Sequence, residues 1–183
     1  MYFAPKEIIL KDGRTAVLRS PLPADAAAGL AFMKQTAGET PFLLRSPEEC
    51  TLTLEEEERF LARFPEDPNS LMILCFVDGV LAGNCQLMRK TKLKNRHRAS
   101  IGIALCREFW GLGIGTALFR ELITQGEEWG LKQLELEVIE GNERGLALYR
   151  KMDFEITGAV PNAIRMPDGS FVREFYMVKP LKK

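Results

Sequence analysis

The plainest pattern in the chain runs from Ser70 to Met88. Leu71 to Val77, LMILCFV, is apolar throughout, and a second β-prone run, Val80 to Met88, follows across Asp78-Gly79. Asp-Gly between two such runs is a hairpin signal. An arm with no polar alternation implies burial on both faces, hence a central strand covered by helices on each side. Shorter β-prone runs, Glu7 to Leu10 and Thr15 to Arg19, flank Lys11-Asp12-Gly13-Arg14 and predict an edge ribbon. Pro21 and Pro23 break that ribbon, the alanine-rich Ala24 to Lys34 reads as a helix, and Gly38 and Pro41 end it. Glu39 to Thr53 has no periodicity and reads as a connection.

Thr53 and Glu56 fit the ends of a capping box, and Glu55 to Glu58 places negative charge on the first turn of the helix they open. Leu54, Phe60, Leu61 and Phe64 supply its apolar contacts, and the acidic run is expected to be a solvated, dipole-favoured face. After a turn at Lys90 to Arg98 comes a strand, Ala99 to Leu105, then Gly111, Gly113 and Gly115. A helix follows, with Ile114, Leu118 and Leu122 at i, i+4, i+8, joined by Phe119, Ile123 and Trp129. Gly130 closes it. In Leu131 to Val138, Leu134, Leu136 and Val138 alternate with Gln133, Glu135 and Glu137. A short helix, Glu143 to Met152, a strand at Phe154 to Gly158, and a pairing of Asn162 to Met166 with Phe171 to Val178 through Pro167-Asp168-Gly169 complete the pattern.

Composition narrows the partners. The 183 residues are 46% hydrophobic, which fits one domain spanning 1–183 with a sizeable core. Lys and Arg (25) balance Asp and Glu (25), arguing against a nucleic-acid or anionic-membrane footprint and for a small-molecule partner. Four cysteines without a CxxC pair read as buried free thiols, and with no leader or membrane-spanning run the expected location is the cytoplasm. The basic turn Lys90 to Arg98 holds the only histidine, His97. A solvated hairpin tip accounts for it more simply than a contact for phosphate or an acidic substrate.

The chemistry centres on the glycines. A strand that bends into a helix presents free N–H groups backed by the positive end of the helix dipole, an anion cradle suited to pyrophosphate. A Walker A loop would need a lysine after the last glycine, and Thr116 follows Gly115. The dinucleotide fingerprint needs G-x-G-x-x-G directly after a strand, whereas this spacing is G-x-G-x-G and antiparallel hairpins precede it.

The run IGIALCREFWGLGIGTAL resembles the acetyl-coenzyme A binding motif of the GNAT superfamily of N-acetyltransferases. That motif, Arg or Gln, two residues, Gly, one residue, Gly or Ala, falls on Trp110 to Gly115, with Trp110 in the first position. A second family motif is matched by Asn142, Leu148-Tyr149, Lys151 and Phe154, with Gly145 where alanine is usual and Asp153 where glycine is usual. The resemblance implies an α/β fold of the α+β type: a mixed, mostly antiparallel sheet of six to seven strands with helices on both faces. It implies transfer of acetyl from acetyl-CoA to a primary amine, with no metal. Backbone groups at Ala104 and Leu105, where the Ala99 to Leu105 strand splays from the Leu131 to Val138 strand, would hold the pantetheine arm, and the Leu105 N–H would face the thioester oxygen. The amides of Leu112, Gly113, Ile114, Gly115 and Thr116 would bind pyrophosphate, and Asn142 would bond the pantetheine.

Tyr149 would be the general acid, although its spacing suits an amphipathic core residue equally well. Many relatives carry a glutamate near Ser100. Here Glu137, Glu135 and Glu140 are the carboxylates at hand, with Glu137 best placed near the splay, and the amine could also lose its proton to water. Glu39, Thr40, Phe42 and Arg165 to Arg173 are expected on the acceptor side. Exposed edge strands allow a homodimer by analogy with the family. Two other readings remain at this point, a catalytically silent acyl-CoA sensor and a dinucleotide-binding protein.

Overall fold

The computed structural model describes residues 1–181. The apolar hairpin lies in the sheet interior: β3 (Ser70–Val77) and β4 (Val80–Arg89) pair antiparallel, and Asp78 and Gly79 turn between them with positive φ (49° and 79°). Leu71 to Cys75 are all buried, as an arm covered on both faces requires. β1 (Lys6–Ile9) and β2 (Thr15–Arg19) form the edge ribbon and join β3. β5 (Arg98–Leu105) pairs with β4, and β6 (Gln133–Ile139) lies parallel to β5. β7 (Glu155–Arg165) and β8 (Phe171–Pro180) complete the order β1-β2-β3-β4-β5-β6-β8-β7.

Among the described residues the sheet therefore has eight strands, not six to seven. The two pieces expected at 154–158 and 162–166 are one strand, β7, whose register shifts take up the irregular residues between them. α1 (Ala26–Glu39) and α2 (Leu54–Arg63) lie on the face carrying Met72, Leu74, Asn84, Gln86 and Ala104. α3 (Ile114–Glu128) and α4 (Glu143–Lys151) occupy the other face. There, a Cβ at Gly115 would lie 2.9 Å from Leu148 and 3.4 Å from Leu105, and one at Gly126 would lie 3.1 Å from Leu134.

α1 runs one turn past the expected end, through Gly38, and stops before Thr40-Pro41, since a residue preceding proline is pushed out of helical geometry. α2 starts where its capping box predicts: Thr53 N–H donates to Glu56 and the Glu56 N–H donates back to Thr53 Oγ1. Its contacts depart from expectation at two places. Leu54 is half exposed, while Glu57, expected in a solvated face, is buried. The first turn of α2 rests on α1, and the residue one turn before Leu61 necessarily shares its inward face. Three of the four cysteines, Cys75, Cys85 and Cys106, are buried free thiols, whereas Cys50 is only partly covered. No helix among the described residues is long and apolar enough to cross a membrane.

Candidate active site

β5 and β6 pair only at Arg98–Gln133, Ala99–Leu134 and Ser100–Glu135, and then part. Beyond that point β5 stays with β4 as far as Leu105, and β6 stays with β8 as far as Ile139. The split opens a cleft of about 740 Å³ whose walls are β5, β6, the glycine bend and α4.

Strand register decides which backbone groups face it. At the ends of the β4–β5 ladder Lys90 N–H donates to Arg98 and Cys106 N–H donates to Ala82, so the even-numbered residues of β5 exchange hydrogen bonds with β4. Ala104 is one of these. Its N–H and C=O are turned to Asn84, which corrects the expectation that its backbone holds a pantetheine arm. Ile101, Ile103 and Leu105 instead turn their backbone groups toward the split. The Leu105 carbonyl accepts a 2.9 Å hydrogen bond from Trp110 Nε1, leaving its N–H for the cleft. The same alternation on β6, fixed by Glu140 N–H to Arg173 and Leu181 N–H to Lys132, turns the backbones of Glu137 and Ile139 into the split from the opposite side.

At the far end lies the glycine bend. Gly111 and Gly113 have φ of 80° and 98°, a region that favours glycine, and Gly113 caps α3 with no side-chain bond to the first-turn amides. Ala117 N–H is taken by the Gly113 carbonyl, so Ile114, Gly115 and Thr116 hold the open donors of the first turn. The Leu112 carbonyl accepts from Lys11 N–H, tying the β1–β2 turn to the bend and bringing Lys11 to the cleft. The Arg144 guanidinium lies 4.3 Å from the Trp110 ring centre and that of Arg107 lies 5.5 Å from it. Trp110, where the family has Arg or Gln, thus supplies a platform for two cations brought from elsewhere in the chain. Neither Lys11 nor Arg144 had a sequence signal that set it apart from other surface cations.

The remaining residues sort by burial and partners. Tyr149 lines the cleft at 9% exposure, and burial pushes its phenol up to about 12. Its ring lies 5.5 Å from that of Phe119, so the core and cleft positions are not alternatives. The Asn142 side-chain oxygen caps α4 by accepting from Gly145 N–H at 2.9 Å, which leaves its NH₂ for another partner. A Cβ on Gly145 would sit 2.7 Å from that NH₂, so the missing methyl of the usual alanine makes room for the cap.

Of the three carboxylates, burial raises Glu135, but bonds from Arg98 and Gln133 outweigh it and hold the group below the usual range. Glu140 is likewise held down by Arg173, 3.0 Å from its carboxylate. Glu137 lines the cleft and has no such partner among the described residues; its register partner on β8 is Tyr176, and Glu174, two residues further along that strand, has its carboxyl raised by burial and by the Glu137 charge. Glu174 escaped notice in the sequence because its neighbourhood to Glu137 exists only through β6–β8 pairing. Glu39, Thr40 and Phe42 reach the cleft, while His97 is exposed in its turn and is not among the cleft residues.

The model of the acetyltransferase (GNAT) family matches residues 40–154. The L-amino acid N-acetyltransferase AaaT of Escherichia coli strain K12 is 25% identical over 118 residues, covering 64% of this chain and 72% of that protein. Among solved structures, a GNAT-family acetyltransferase from Streptococcus pneumoniae superposes with a TM-score of 0.85 at 29% identity, covering 90% of this chain and 99% of its own. The phosphinothricin acetyltransferase from Sinorhizobium meliloti, solved in complex with AcCoA, shares the fold with a TM-score of 0.78 at 20% identity, covering 91% of this chain and 88% of its own.

Proposed function

The chain belongs to the GNAT family of acetyltransferases, and from that premise we propose that residues 1–183 act as one domain moving acetyl from acetyl-CoA to a primary amine by direct attack. The observation that carries the reading is the split itself. Two walls of strand backbone without a strand partner face each other there, Ile103 and the Leu105 N–H on one side and Glu137 and the Ile139 N–H on the other, the Leu105 and Ile139 carbonyls being taken by Trp110 and Asn142; a pantetheine arm, with its alternating amide groups, fits between them. The amides of Leu112 to Thr116 then receive the pyrophosphate, with Lys11 and Arg144 adding positive charge, and the Asn142 NH₂ bonds the arm.

In the transfer, the amine nitrogen attacks the thioester carbonyl carbon. The developing oxyanion takes a hydrogen bond from the Leu105 N–H, the C–S bond breaks, and the thiolate takes the Tyr149 proton. The amine releases a proton to Glu137, directly or through water, with Glu174 beside it to disfavour a second full charge. Burial keeps the Tyr149 phenol protonated, so a proton is on hand beside the sulfur as the C–S bond breaks.

The test is a panel of primary amines with acetyl-CoA, read by release of free thiol, beside melting curves. Acetyl-CoA at about a hundred times its Kd should add roughly 2.7 kcal/mol of stability and NAD(H) none. Thiol release with at least one amine supports the transferase. A shift with acetyl-CoA and no thiol release from any amine would favour the silent sensor, and a shift with NAD(H) alone would overturn the cofactor assignment.

A further inference from the structure

A second cavity, of about 720 Å³, lies under α1 and α2 against β3, β4 and β5. Its walls are largely apolar, with Phe32, Leu61, Met72 and Leu74 prominent. Leu43, Leu44 and Ala104 line both this cavity and the cleft, so the two adjoin at the split. Asn84, opposite Ala104 in register, marks that shared end on the sheet.

Glu57 lines the cavity from α2. It is 3% exposed, and its Oε2 is buried with no hydrogen-bond partner. Arg45 lowers the carboxyl only partly against the effect of burial, and no ion pair joins the two residues among those described. Arg45 points instead to the Met33 sulfur. α1 makes room for the carboxylate: a Cβ on Gly29 would stand 2.8 Å from Glu57 Oε1. Glycine inside a helix costs about 1 kcal/mol relative to alanine. An unpaired buried carboxylate costs more, because its solvation is lost without replacement. Two independent features that weaken the fold thus meet at one atom group, on the wall of a cavity adjoining the reactive end of the cleft. A cationic ligand group would supply what the carboxylate lacks.

We propose that this cavity receives the acceptor and that Glu57 selects an amine carrying a second cationic group on an aliphatic body. The assignment rests on the acetyl-transfer reading for its direction, with the reacting amine toward Ala104 and the second cation at Glu57. Apolar walls suit the methylene chain between them. The charged lining is Arg45, Glu49 and Glu57, two carboxylates against one guanidinium, and that balance favours a cationic end over a carboxylate.

The experiment compares binding of 1,4-diaminobutane and n-butylamine, by melting shift and calorimetry, to the wild type, Glu57→Gln and Gly29→Ala. The diamine should bind the wild type at least about tenfold more tightly than the monoamine, the scale of one charge-assisted hydrogen bond. Glu57→Gln should remove that preference without lowering the melting temperature, since it takes away a buried charge. Gly29→Ala, which crowds Oε1 while improving the helix, should also reduce it. A preference below about tenfold in the wild type, or one that survives Glu57→Gln, overturns the proposal. Acetyl-CoA shifts measured on the same proteins separate the two readings: their absence would refute the transferase while leaving the diamine result to stand or fall alone.

Discussion

Replacing Tyr149 with Phe tests the proton donor with little disturbance to the fold. The ring is 9% exposed and packs against Phe119, and the substitution keeps that contact. Burial is the cause of the phenol's rise to about 12, so deleting the hydroxyl breaks no internal bond that stabilises the native state. A general acid contributes about 10²–10⁴ in rate. The variant should therefore lose that factor in kcat, or about 2.7–5.4 kcal/mol of transition-state stabilisation, with KM for acetyl-CoA little changed.

The same shift sets a pH signature for stability. A folded-state pKa about two units above the ordinary 10.0 gives stability that is complete below pH 10 and lost as pH rises toward 12, about 3 kcal/mol in all. Melting temperatures of wild type and variant should thus run parallel up to about pH 9–10, and the wild type should then fall faster. Steady-state kinetics at pH 7–9 and melting curves at pH 7–11 measure both effects. A kcat within about threefold of wild type, with the alkaline melting difference present, would refute the acid role while confirming the burial.

Gly83→Ala should act on the split from behind: its Cβ would fall 2.2 Å from Leu105 Cδ2 and 3.1 Å from the Ala104 carbonyl. Overpacking of this kind costs about 1–3 kcal/mol, and the displaced Leu105 should raise KM for acetyl-CoA; denaturant melts and kinetics on the purified variant check both, and an unchanged KM would show that Leu105 does not position the thioester. Asp25→Asn removes the charge from a partly buried bidentate pair with Arg19, both contacts at 2.7 Å, and should cost about 2 kcal/mol. Burial raises Asp25, but Arg19 and the Leu22 N–H outweigh it, so its stabilisation is present above the ordinary value of 3.8 and lost as pH falls below it. The wild type and the variant should converge in stability at acid pH in urea melts.

Much of the architecture was legible because it is local. Asp78-Gly79 needs no distant partner to turn a hairpin, Thr53 and Glu56 cap their own helix, and the Ile114, Leu118, Leu122 stripe defines its inward face by spacing alone. The glycine bend was readable for the same reason, since positive φ at Gly111 and Gly113 is a property of a few bonds. Where distant segments meet, the sequence falls silent. Glu57 sits among four consecutive glutamates, and only the seating of α2 on α1 beside Gly29 marks it out.

By itself, then, the sequence determined the hairpins, the capped helices, the glycine bend and the resemblance that ties Asn142 and Tyr149 to it, because each follows from short-range backbone geometry or from a motif. The tertiary structure decided that Ile103 and Leu105, rather than Ala104, turn their backbones into the split, since hydrogen-bond parity depends on the register β5 adopts against β4. It also decided that Arg144 stacks on Trp110, that Glu174 stands beside Glu137, and that Glu57 is buried facing a cavity. Pairing and packing across tens of residues of chain set those neighbours, and no periodicity along one segment encodes them.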